Sequence, residues 1–273
     1  MLKKRIIFTL LYDSGSFMLS RNFRLQKVGS LEWLQRNYDF SHISFFIDEL
    51  IVLDVTRGLR DLSRFSQTLR TLTEGCFVPI AAGGGVRSVN DARELLLSGA
   101  DKIVINTPLF RNPLLVRELS EAFGQQCVVG SIDVKRESDG KYVIYTESGT
   151  QPVLGDASLL IESLQDGFVG EIYLNSIDKD GTGQGYDMRL LDIIPENTTV
   201  PLILAGGVGN ARHLNEGFLA PKVSAVATAH LFNFVGDGLK RAREILMDQG
   251  GTLAHWPAIA EIPFSLKDTI LRK

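Results

Sequence analysis

Short apolar runs of strand length alternate with amphipathic helical stretches along the chain, and one Gly-rich motif occurs twice. Together they predict an α/β fold, a (β/α)8 TIM barrel built from two similar half-barrels. The first copy of the motif is Pro79-Ile80-Ala81-Ala82-Gly83-Gly84-Gly85-Val86, and the second is Pro201-Leu202-Ile203-Leu204-Ala205-Gly206-Gly207-Val208. The prolines and the glycines recur at the same offset. Each copy passes from an apolar run through glycines to a helix-start signal. Glycine lets backbone N–H groups approach an oxyanion, and the helix N-terminus that follows is electropositive. Two such loops half a chain apart suggest a duplicated half and a ligand with two phosphates. A doubly wound open sheet is the competing arrangement, and the half-chain repeat favours the closed barrel.

The expected strands cover residues 5–11, 49–54, 78–82, 102–106, 127–133, 171–176, 201–204 and 225–229. They are apolar on both faces, as parallel strands covered by helices are. Between them lie expected helices at 90–98, 113–123, 157–165, 188–193 and 236–249. Ser88 can cap the helix after the first glycine loop, with Asp91 three residues on. Asn210 can cap the helix after the second. Eight such units in roughly 250 residues match the size of a TIM barrel. The segment 134–146 carries Ser138-Asp139-Gly140-Lys141 between extended stretches and reads as a β-hairpin inserted after the fifth strand. No linker or low-complexity tract interrupts the pattern, so residues 1–273 are expected to form a single domain. The tail after Gln249 is expected to be peripheral.

Composition narrows the classes. The net charge of −3 gives no sign of a nucleic-acid or acidic-lipid partner. The two cysteines, Cys76 and Cys127, fit no metal or redox spacing and read as small apolar residues in a reducing cytosol. Lys3-Lys4-Arg5 precedes an apolar stretch too short for a signal peptide, and no run approaches the ~20 residues of a membrane helix. A cytoplasmic protein without cofactor or metal is expected.

In a TIM barrel the active site lies at the C-terminal ends of the strands. Polar residues there are Asp54 with Thr56, Asn106 with Thr107, Asp133 with Lys135, Asn175, and Asp178 with Asp180. Asp133 follows Val128-Val129-Gly130-Ser131-Ile132. It is either a carboxylate with raised pKa, able to act as general acid or base, or a strand-end Asp capping the next loop. Asp178-Lys179-Asp180-Gly181-Thr182-Gly183-Gln184-Gly185 is either a sugar- or phosphate-binding loop or an ordinary long turn. Asn106-Thr107 could complete the first phosphate site. Ala229-His230 holds the equivalent place after the eighth strand, where His230 is either a phosphate contact or a surface histidine. At the opposite end, Arg5, Glu49, Lys102 and Glu171 each open a strand. They are either charges that merely flank strands, or a paired ring that plugs the floor or gates a passage through it.

Lys4-Arg5-Ile6-Ile7, Leu53-Asp54-Val55-Thr56, Gly83-Gly84-Gly85, Gly99-Ala100-Asp101-Lys102 with Ile105-Asn106-Thr107, Ser131-Ile132-Asp133, Ser176-Ile177-Asp178-Lys179-Asp180-Gly181-Thr182 with Gly185-Tyr186-Asp187, and Gly206-Gly207 follow one another in order. From about residue 3 to 248 the chain resembles the HisF family, the cyclase subunits of imidazole glycerol phosphate synthase. The resemblance implies a barrel that receives ammonia from a HisH-like glutaminase and reacts it with a bis-phosphorylated ribulosyl-formimino nucleotide. On this resemblance Asp133 is a catalytic residue. Arg5, Glu49, Lys102 and Glu171 form a salt-bridged gate at the ammonia entrance, and Asp101 faces the glutaminase. Gly84, Gly85, Asn106, Thr107, Asp180, Gly181, Gly206, Gly207 and His230 contact substrate or phosphate.

The departures from the family pattern lie at the other end. The family's second catalytic Asp, at the end of the first strand, is replaced here within Thr9-Leu10-Leu11. Leu11 cannot exchange a proton, and Asp13 would have to swing back into the site. The Lys expected in the following loop is Leu19, with Arg21 nearby. The second phosphate site has lost two hydroxyls, at Ala205 and His230, and Asn175 replaces a Thr. This pattern resembles the HisF paralogues of surface-polysaccharide clusters. There, a HisF-like and a HisH-like protein would feed ammonia to a sugar amidotransferase making acetamidino sugars. Ammonia conduction is therefore the leading expectation, and an active histidine-pathway cyclase the alternative.

Overall fold

The computed structural model describes residues 3–37, 45–165, 168–229 and 238–254. In chain order the described strands are β1 (Arg5–Asp13), β2 (Ser16–Arg21), β3 (Arg24–Gly29), β4 (Glu49–Asp54), β5 (Ile80–Gly83), β6 (Lys102–Ile105), β7 (Val128–Arg136), β8 (Tyr142–Thr146), β9 (Gln151–Pro152), β10 (Glu171–Ser176), β11 (Leu202–Ala205) and β12 (Val223–Thr228). The described helices are α1 (Leu31–Asn37), α2 (Leu62–Glu74), α3 (Val89–Leu97), α4 (Thr107–Arg111), α5 (Pro113–Phe123), α6 (Ala157–Glu162), α7 (Ala211–Leu219) and α8 (Gly238–Asp248).

Strands β1, β4, β5, β6, β7, β10, β11 and β12 pair in parallel in that circular order, and β12 returns to β1. The sheet is a closed eight-stranded (β/α)8 barrel. The period-2 alternation of a strand divides the apolar residues into two layers. On β1, Ile6, Phe8, Leu10 and Tyr12 point outward into the core shared with the helices. Ile7 points inward, where it meets Ile51, Ala81, Val104, Val129 and Tyr173. The barrel interior is thus a packed apolar layer between two polar ends.

Helix starts follow the expected chemistry. Ser88 caps α3 by accepting from Asp91 N, and the Asp91 side chain accepts in return from the Ser88 N–H, a capping box. Asn210 caps α7 by accepting from His213 N. α8 is tied to the barrel by Arg243, which forms a bidentate pair with buried Asp48 at 3.0 and 2.9 Å. Asp48 also accepts from Ile6 N at 2.8 Å, so one carboxylate joins the last helix to the first strand.

The structure departs from expectation in three places. β1 runs on to Asp13 and leads into an antiparallel meander of β2 and β3 that the strand pattern does not predict. Its turn is Ser14-Gly15, both with positive φ (49° and 90°). β7 likewise runs past Asp133 to Arg136, because the expected hairpin continues it: β8 pairs antiparallel from Arg136↔Tyr142 to Asp133↔Tyr145. The helix expected at 188–193 is a 3₁₀ helix, ended by extended Ile194 before Pro195. The expected 236–249 helix is present as α8, with residues 236–237 outside the described set. Both cysteines are free. Burial pushes the Cys76 thiol up to about 11, which keeps it protonated near neutral pH. No described helix is long and apolar enough to cross a membrane.

Candidate functional site

A cavity of about 540 Å³ opens at the C-terminal ends of the barrel strands. Asp133, near the end of the β7 barrel segment, lines it. The carboxylate accepts from Asn175 Nδ2 on β10 at 3.1 Å and from Asn106 Nδ2 at 3.2 Å. Asn106 also donates to Ser131 O at 2.9 Å, which fixes its amide beside the acid. Burial pushes the Asp133 carboxyl up to about 7; the bond from Asn175 pulls it down, and the charge of Asp180 adds to the rise. The group therefore sits where it can both take and give a proton near neutral pH.

Position 11 lies in the same cavity. Leu11 and Leu53, neighbours on β1 and β4, both line the wall. Asp13 stands opposite Ser16 in the hairpin ladder and is absent from that lining. Asp54 and Asp180 line the cavity as well. Leu19 and Arg21, on β2, do line the cavity.

The two glycine loops face each other across the opening. Gly84 and Gly85 line one side, Gly206 and Gly207 the other. A side chain is excluded at both loops. Gly84 has φ 107°, and a Cβ there would lie 2.1 Å from Asp54 O; at Gly207 (φ 105°) it would lie 2.1 Å from Gly185 O. Thr107 opens α4 beside the first loop, and its hydroxyl accepts from Glu147 N at 3.3 Å. Ala205 and Ala229 flank the second loop without hydroxyls. His230 lies outside the described residues.

Asp180 and Gly181 also line the cavity. The Asp180 carboxylate is engaged by the β2–β3 hairpin: it accepts from Ser20 Oγ and from Phe23 N, the latter at 3.0 Å. Asn22, with φ 51°, donates from its backbone to Asp180 O at 2.9 Å and from Nδ2 to Asp178 O at 2.7 Å. The hairpin is thereby latched onto the loop after β10 and roofs part of the site. The Ser14-Gly15 turn, followed by the apolar run Phe17-Met18-Leu19, is the local signal that could have found it.

At the far end of the strands the four expected charges come together. Arg5 pairs with Glu49 at 2.7 Å and with Glu171, and Lys102 pairs with Glu49 at 3.0 Å and Glu171 at 2.8 Å. The result is a closed ring of alternating sign. Burial raises the Glu49 carboxyl above the usual range against the pull of Lys102. For Glu171 burial also pushes upward, but Arg5 and Lys102 outweigh it and the carboxyl falls below the usual range. Asp101 is exposed beside Lys102, and its carboxylate accepts from Ile80 N at 2.8 Å. Among the described residues no cluster of metal-ligating side chains occurs.

Residues 41–236 match the model of the histidine biosynthesis protein family. The chain is 47% identical over 266 residues to a protein of Parasynechococcus marenigrum (strain WH8102), provisionally named imidazole glycerol phosphate synthase subunit hisF2; the match spans 97% of this chain and 98% of the relative. It is 36% identical over 251 residues to the imidazole glycerol phosphate synthase subunit HisF of Chlorobaculum parvum, spanning 92% and 98%. It is 35% identical over 254 residues to HisF of Chlorobium luteolum, spanning 93% and 99%.

Proposed function

Because this chain belongs to the HisF family of histidine-biosynthesis barrels, we propose that it receives ammonia from a HisH-like glutaminase through the barrel and passes it on without closing an imidazole ring. The observation that carries this reading is the contrast between the two ends of the barrel. The floor keeps its charge ring, Arg5, Glu49, Lys102 and Glu171, fully paired. The mouth has Leu11 where a proton-exchanging group would face Asp133. Ring closure needs protonation and deprotonation steps, and loss of one member of an acid/base pair commonly costs orders of magnitude in rate.

The interior suits neutral ammonia. Ammonium would have to shed its hydration to enter the apolar layer of Ile7, Ile51, Val104 and Val129, which is costly for a charge. Small residues Ala81, Ala225 and Ala227 leave the layer less filled than larger side chains would. Above them Thr9 Oγ1 and Tyr173 Oη, 3.4 Å apart, are polar groups that could accept from or donate to a passing ammonia. A sugar-amidating enzyme of the surface-polysaccharide type is the consumer this reading supplies, and the compartment is the cytoplasm. Asp133, poised near neutral pH, favours the second reading, an active cyclase of histidine biosynthesis that finds its other proton carrier elsewhere.

Both readings require a glutaminase on the floor. Mixing the purified chain with a HisH-type glutaminase is expected to give co-elution on gel filtration and faster glutamine hydrolysis. The face carrying Arg5 and Asp101 would be covered. Neither co-elution nor activation would overturn the proposal.

A further inference from the structure

The inner end of the cavity has two unlike walls. Every second residue of β1 faces the barrel interior, and the series Arg5, Ile7, Thr9, Leu11 climbs from the charge ring through the apolar layer to the mouth. Leu11 is the register partner of Leu53 on β4, and both leucines are half-buried and line the cavity. Leu53 packs on the interior layer of Ile7 and Ile51. Leu11 is not among the described residues packed on either apolar layer, so the surface it exposes is turned to the cavity. The hairpin adds Leu19 and Leu25 to the lining. Asp54, next along β4, is already engaged: its carboxylate accepts from Thr56 N at 2.9 Å and stands 3.9 Å from Arg60 Nε.

The facing wall is polar. β7 stands opposite β1 round the eight-stranded barrel, and β10 stands opposite β4. Asp133 therefore lies across the lumen from Leu11, and Asn175 across from Leu53. Asp133 is joined to Asn175 at 3.1 Å and to Asn106 at 3.2 Å, so a carboxyl and two amides converge on one side. These groups exchange hydrogen bonds with donors and acceptors alike. The leucine side does neither. A hydroxyl or a charge placed against it would give up water and find no side-chain partner in Leu11 or Leu53. Covering the same leucine surface with hydrocarbon is favourable in proportion to the area removed from water. An apolar wall facing a few convergent polar groups is the ordinary make-up of a small-molecule site.

We infer that Leu11 and Leu53 form an apolar subsite at the inner end of the cavity. It takes a saturated hydrocarbon portion of a ligand whose hydrogen-bonding group is held across the lumen by Asp133, Asn106 and Asn175. Leu11 is then a specificity-determining residue: its side chain supplies a contact surface for the ligand. The inference rests on the proposed function only in taking this cavity as the ligand-binding end of the barrel. It requires neither a glutaminase nor ammonia.

The test is an NMR titration of the leucine-methyl-labelled chain with acetamide, propanamide and butanamide, three probes with one polar end and a growing hydrocarbon end. Affinity is expected to rise about threefold with each added methylene, with the methyl signals of Leu11 and Leu53 shifting. Leu11→Asn is expected to abolish that rise. Leu11→Ala, a milder change, is expected to reduce it and keeps the test decisive should the Asn variant fold poorly. Asn175→Ala is expected to weaken all three amides alike, about fivefold, and to leave the rise with chain length in place. A series that binds with equal affinity, a rise that is the same in the Leu11 variants, or no binding by any of the three would overturn the inference. Glutaminase coupling is read at the other end of the barrel, so failure here and failure there are separable.

Discussion

Lys102→Met is expected to cost about 3 kcal/mol of folding stability, read as a lowered urea midpoint at unchanged m-value. Lys102 donates to both oxygens of Glu49, each at 3.0 Å, and to Glu171 at 2.8 Å. Removing it leaves two carboxylates to share Arg5. Glu49 has only 2% of its side chain exposed, so water cannot replace the lost partner. The cost falls at the lower end for a broken buried pair because Lys102 and Arg5 keep 19% and 24% side-chain exposure. A second substitution, Glu49→Gln, removes the surplus negative charge and should recover part of the loss. A double variant no better than Lys102→Met alone would mean that the ring is held by packing, not by charge balance.

Asp133→Asn is expected to stabilise the chain above neutral pH. Burial raises the folded-state pKa of Asp133 from 3.8 to about 7. Between those values the native state holds a proton that the unfolded state has released. Stability therefore falls as pH rises through this window and levels off above it. The carboxylate's penalty at about pH 8 is on the order of a few kcal/mol, since each pH unit between the folded and unfolded values corresponds to about 1.4 kcal/mol. Asn carries no such penalty, provided Asn106 or Asn175 turns its amide to offer an oxygen. Thermal melts should show the variant above the parent near pH 8 and converging with it near pH 4. A constant difference at both pH values would show that Asp133 is not the titrating group.

The two ends of the barrel differ in how legible they are from sequence. The floor ring is legible because its members open their strands, and strand register alone carries them to one level. Asp133 is legible because it follows an apolar run at a strand's C-terminal end. The Ser88–Asp91 capping box is written within four consecutive residues and stands where expected. The β2–β3 meander is legible only at its Ser14-Gly15 turn, because its strands carry mixed polar and apolar residues. It is stabilised by long-range contacts from Asp180 and Asn22 that no local pattern encodes. Arg57 and Arg60 escape notice for the same reason. In sequence they are two charges in a loop, and only the fold lays Arg60 across Gly85. The resemblance to HisF locates the family's shared chemistry, but a residue's presence in the chain does not reveal its engagement: the carboxylate of Asp180 is occupied by the hairpin.

Ammonia conduction without ring closure rests on a mouth that lacks half of an acid/base pair. The most direct test supplies the purified, folded chain with ammonium salt and the ribulosyl-formimino nucleotide, bypassing the glutaminase, and follows substrate loss by absorbance. No turnover above background is predicted, because Leu11 lines the cavity with Asp133 where a second proton carrier is needed. Turnover at the rate of a HisF cyclase assayed alongside would contradict that prediction and place the chain's chemistry in imidazole formation.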